Sequence, residues 1–109
     1  MKFVFRVEVE VGPMMGSEMP EDWAGAFVSV YVGADHIGDA IKEAEASLLN
    51  DLYKPLHISS AYDLEIEDFD YDTDEEGYPG NDELESIREN GIVFYGPFNG
   101  YGPEAHQLQ

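Results

Sequence analysis

Lys2-Phe3-Val4-Phe5-Arg6-Val7-Glu8-Val9-Glu10-Val11 places an apolar side chain at every odd position and a polar one at every even position, Val4 alone excepted. Successive strand residues point to opposite sides of a sheet, so residues 2–11 read as a half-buried strand with Phe3, Phe5, Val7, Val9 and Val11 facing a core. Gly12-Pro13 ends the alternation, and a loop carrying Met14, Met15, Met19 and Trp23 follows as far as Gly25. Residues 26–33, Ala-Phe-Val-Ser-Val-Tyr-Val-Gly, are β-branched or aromatic on both faces, which suits a strand in the middle of a sheet.

Working outward, Ile37, Ile41, Ala44, Leu48 and Leu52 recur at steps of three and four, so a helix is expected over about 36–52, with Asp35 able to cap it. Ile58, Tyr62, Leu64 and Ile66, separated by Asp63, Glu65 and Glu67, read as a third strand with one carboxylate-rich face. Pro79-Gly80 marks a turn. Asp82 with Glu85 three residues later, then Leu84, Ile87 and a terminal Gly91, fit a short helix over 82–90. A fourth strand follows from Ile92 to Tyr95.

The expected order is ββαβαβ: an α+β two-layer sandwich of about four strands, with both helices on one sheet face. It resembles in outline the small ferredoxin-like sandwiches but departs from their βαββαβ order, so no functional residue carries over. Residues 1–95 form one acidic domain in this reading, and 96–109, with repeated Gly and Pro and a polar end, form an irregular and partly disordered tail.

The chain has 24 Asp and Glu against five Lys and Arg, a formal charge of −19, yet 43% of its 109 residues are hydrophobic, enough for a folded body. Such a field repels phosphate backbones and anionic headgroups, which argues against nucleic-acid and membrane partners. It favours cations and basic protein surfaces. No run approaches the roughly 18 apolar residues of a membrane span, and the absence of cysteine removes disulfides and thiolate chemistry and is compatible with the cytoplasmic location we expect.

Thirteen of the acids lie between Asp63 and Glu89, with Arg88 the single base among them. A charge of −19 exceeds the magnitude of about 2–8 that serves solubility in a small domain. The expected use is therefore contact with a basic protein, as an inhibitor or immunity-type binder, through Glu65, Glu67, Asp68, Asp70, Asp72, Asp74 and Glu75. Trp23 is the candidate apolar anchor, because Trp is the side chain most enriched in interface hot spots. The competing reading of the Met14–Trp23 loop is a flap folded back over an open sheet edge or a bare sheet face.

The same acids allow a second reading. Asp72, Asp74, Glu76, the Tyr78 carbonyl and Glu83 follow the spacing of a calcium-binding loop, with Gly77 at its sixth position. Glu76 is longer than the usual ligand there, and Pro79 stands where an apolar strand-forming residue is customary. A small enzyme of unknown class is the third reading. His36, His57 and His106 share no metal-ligand spacing, and Ser29, Ser59 and Ser60 lack a nucleophile-elbow context.

Overall fold

The computed structural model describes residues 2–72 and 75–103. The element order is β1 (Phe3–Pro13), β2 (Gly25–Ala34), α1 (Ile37–Asn50), β3 (Tyr53–Asp63), α2 (Asn81–Asn90) and β4 (Val93–Tyr101), the expected ββαβαβ series. The strands form a four-stranded sheet in the order β3-β1-β2-β4, and every neighbouring pair is antiparallel. Both β2 and β3 run against β1, so they are parallel to each other with β1 between them. The segment from β3 through α2 then crosses beneath the whole sheet to reach β4 at the opposite edge.

The first core lies where the odd positions of β1 point. Phe5, Val7, Val9 and Val11 pack with Val28, Val30 and Val32 of β2 against Ala40, Ala44 and Leu48 of α1. The three α1 residues lie four apart and form one stripe, as an amphipathic helix requires. The small side chains of Ala40 and Ala44 let α1 sit close on the sheet.

The second core explains the one exception to the alternation of β1. Val4 points to the other face and packs with Tyr31, Leu64, Leu84 and Ile87. α2 therefore lies on the face opposite α1, correcting the expected two-layer arrangement with both helices on one side: the molecule has three layers. The physical reason is that β2 is apolar on both faces and offers α2 a site of its own. Gly33 makes the approach possible, because a Cβ there would overlap the Ile87 carbonyl oxygen.

Three boundaries move. β3 begins at Tyr53, five residues ahead of Ile58, and accommodates Pro55 because it is an edge strand with two register irregularities against β1. It ends at Asp63; Leu64 drops under the sheet, donates its N–H to the Val4 carbonyl at 2.9 Å, and Glu65 turns the chain with a φ of 53°. β4, expected to give way to an irregular tail at residue 96, continues through Gly-Pro-Phe-Asn-Gly to Tyr101. A bulge opposite Ser29 absorbs Gly96-Pro97, and Phe98 returns to the first core with its ring 4.8 Å from that of Tyr53. Residues 104–109, including His106, lie outside the described residues.

Both helix starts also differ in detail. The N-cap of α1 is His36 rather than Asp35, without a side-chain cap bond. At α2 the N-cap is Gly80, and the carboxylate reaching back to it is Glu83 instead of Glu85. Gly91 ends α2 in the left-handed conformation with φ 61°, as its sequence position implies.

Candidate binding surface

Residues 64–80 join β3 to α2 across the second face and carry most of the acidic run. Both ends of the segment are fixed. Leu64 and Ile66 enter the second core, and Tyr71 packs against it while its hydroxyl donates to the Leu64 carbonyl. At the far end Asn81, first residue of α2, accepts from the Tyr71 N–H at 2.8 Å through Oδ1 and donates from Nδ2 to Asp70 at 2.9 Å. Asp72 accepts the Asn81 backbone N–H at 2.8 Å and so supplies the N-terminal cap that Gly80, lacking a side chain, cannot.

These bonds act on the charge of Asp70. The Asn81 amide and the Asp72 N–H hold the Asp70 carboxyl below the usual carboxylate range. Glu67 and Glu85 both pair with Arg88, and the bond that Arg88 donates to Glu67, at 2.7 Å, is the main reason its guanidinium pKa is raised further. Glu65, Asp68, Glu75 and Glu76 are exposed along the same segment. The surface is therefore acidic, anchored and only locally neutralised.

Seven acids named from the sequence thus divide clearly. Glu65, Glu67, Asp68, Asp70, Asp72 and Glu75 are brought together on one segment; Asp74 lies outside the described residues. Trp23 does not join them. Its indole lies over Gly100, where a Cβ would collide with the ring, and packs with Met19 against the first core. It is on the α1 face, whereas Leu64, Ile66 and Tyr71 pack on the other face, so the sheet stands between the two features. The loop covers the sheet as a flap.

The calcium-loop residues are distributed by the start of α2. Asp72 and Glu83, the first and last of the spacing, both accept backbone N–H groups there, Glu83 from Gly80 at 3.5 Å. Glu76 is exposed and Tyr78 half-buried. Among the described residues, no group of three or more His, Asp or Glu side chains could hold a metal ion. His36 and His57 are both exposed, on different elements.

Sequence reasoning passed over Phe69. Its side chain is 57% exposed between Asp68 and Asp70, with its ring edge-on to that of Tyr71. A lone aromatic between two acids, claimed by no strand or helix period, is the signal that was available. It also passed over Arg6, whose guanidinium lies on the second face, bonded to Ser29 at 3.1 Å, paired with Glu8 at 3.2 Å and 5.7 Å from the centre of the Tyr31 ring. Arg6 and Tyr78 line two adjoining cavities of about 200 and 350 Å³ on that face. Burial raises the Tyr31 hydroxyl pKa despite the nearby Arg6 charge.

No protein-family model, curated protein or solved structure matches the chain. No helix among the described residues is long and apolar enough to cross a membrane.

Proposed function

We propose that this α+β domain is a non-enzymatic acidic binding protein whose contact surface is the segment 65–76, and that it docks there on a basic surface of another protein. The observation that carries the reading is Phe69, exposed to 57% between Asp68 and Asp70 on a segment tied down at both ends. An exposed aromatic ringed by charge has the form of an interface anchor with a polar rim. Because Leu64, Tyr71 and Asn81 already order residues 64–72, little conformational entropy remains to be lost there on association. The anchor that supports the reading is Phe69 in place of Trp23.

The test is affinity capture with the immobilised protein at roughly 50 mM and 500 mM salt, followed by titration of the captured protein against wild type and Phe69→Ala. The expected result is a basic protein released at high salt and bound at least tenfold more weakly by Phe69→Ala, the loss of a hot spot of about 1.4 kcal/mol or more. Capture indifferent both to salt and to Phe69 overturns the reading.

A further inference from the structure

The larger cavity on the second face has three kinds of wall. Its buried floor is aliphatic, made by Leu64, Pro79 and Leu84. Its sides include the rings of Tyr31, Tyr71 and Tyr78, none of them fully exposed. The exposed carboxylates of Asp70, Asp72 and Glu75 complete it. Arg6 is the one base in the lining, and Glu8 and Ser29 already engage its guanidinium.

We propose that this cavity receives the alkylammonium side chain of a lysine. A lysine has an apolar four-carbon stem and a compact charged head, and it gains most where the stem is covered and the head meets aromatic faces or carboxylates. Leu64, Pro79 and Leu84 suit the stem, the tyrosine rings and the carboxylates suit the head, and about 350 Å³ holds one such chain. The protein's own Arg6, 5.7 Å from the Tyr31 ring centre, shows that this wall already accommodates a cation. The three carboxylates outnumber Arg6, so the lining keeps a negative balance for a second one. An acidic side chain is repelled, and a neutral one of the same length gains only the stem contacts.

The inference rests on the reading above, since the lysine belongs to the basic partner, but a small probe tests it separately. The probe is Nα-acetyl-lysine methylamide, compared with the same compound acetylated on its ε-nitrogen, which keeps the stem and removes the charge. Nuclear magnetic resonance titration to roughly 50 mM, a range that reads millimolar dissociation constants, follows Tyr31, Tyr71, Tyr78 and Leu84. Expected are saturable shifts at these residues with the charged probe, at least tenfold weaker binding of the acetylated one, and retention by Tyr78→Phe. Tyr78→Ala weakens binding about tenfold. Equal binding of both probes, or no saturable shift in wild type and Tyr78→Phe, overturns the inference. If the probe fails while protein capture depends on Phe69, the cavity is refuted and the acidic surface stands. If the probe binds while capture fails, the surface is refuted and the cavity stands.

Discussion

Tyr95 closes the β4 edge of the first core with a hydroxyl shared between two partners, Ser47 of α1 at 2.6 Å and Asp51 at 2.7 Å. Its pKa is pushed up to about 12, first by burial and then by the Asp51 carboxylate that accepts its hydrogen bond. The folded state thus favours the neutral phenol more than the unfolded chain does, where the value is 10.0. The resulting stability is complete below pH 10 and lost as pH rises toward 12. Tyr95→Phe keeps the ring, costs about 1 kcal/mol at pH 8 for the lost bonds, and flattens the alkaline decline. Guanidinium unfolding of both proteins at pH 8, 10 and 11.5 measures this. A residual slope is expected in the variant, because Tyr101, bonded to Glu10, is also raised to about 12; equal slopes in the two proteins would exclude the assigned role of Tyr95.

At the scale of the element, α2 and the segment before it behave as one unit because Asn81 belongs to both. Its backbone N–H is capped by Asp72, and its amide ties Tyr71 and Asp70 to the helix start. Asn81→Ala leaves α2 formed and its backbone bond to Asp72 in place, but frees residues 70 and 71. Two readouts follow: the Tyr71 amide loses at least tenfold of its hydrogen-exchange protection, and the Asp70 carboxyl, no longer held down by the Asn81 amide, titrates nearer the ordinary value. Unchanged titration of Asp70 would mean that the amide does not stabilise its charge. Sequence patterns disclosed this unit only in part. Leu84, Ile87 and Gly91 announce the helix through local period and cap chemistry, and the alternation of β1 announces its first core. The side of the sheet on which α2 packs depends instead on a long-range match between Val4, Gly33 and Ile87, for which the sole local trace is one valine out of phase. Asn81 as a clasp was equally illegible, since its partners lie about ten residues away across a turn. The acidic segment itself was plain from composition, but its anchor was assigned to Trp23 because residue type was weighed without position. Trp23 is packed against the first core, whereas Phe69 stands in solvent among the acids.

For the whole molecule the dominant electrostatic fact is a charge of −19 on a body 42 × 28 × 24 Å. In about 0.01 M salt the screening length is roughly 30 Å, comparable with these dimensions, so carboxylates at opposite ends repel one another; in 0.1 M it falls to about 10 Å. Arg6 pairs with Glu8, and Arg88 with Glu67 and Glu85, and such partly exposed pairs contribute only about 0–1 kcal/mol each. With 24 acids against five bases, repulsion is expected to outweigh attraction and salt to stabilise the fold. Raising sodium chloride from about 10 mM to 300 mM at pH 7 is expected to lift the melting temperature by roughly 5 °C, the equivalent of about 1 kcal/mol for a domain of this size. The same series is expected to weaken binding of the proposed basic partner, because the field that strains the isolated domain would be the one that draws such a partner in. Calorimetric melting and partner titration across one set of salt concentrations measure the opposed slopes. A melting temperature that falls with salt would place the balance in the Arg6 and Arg88 pairs, and the acidic surface would then be holding the fold together instead of straining it.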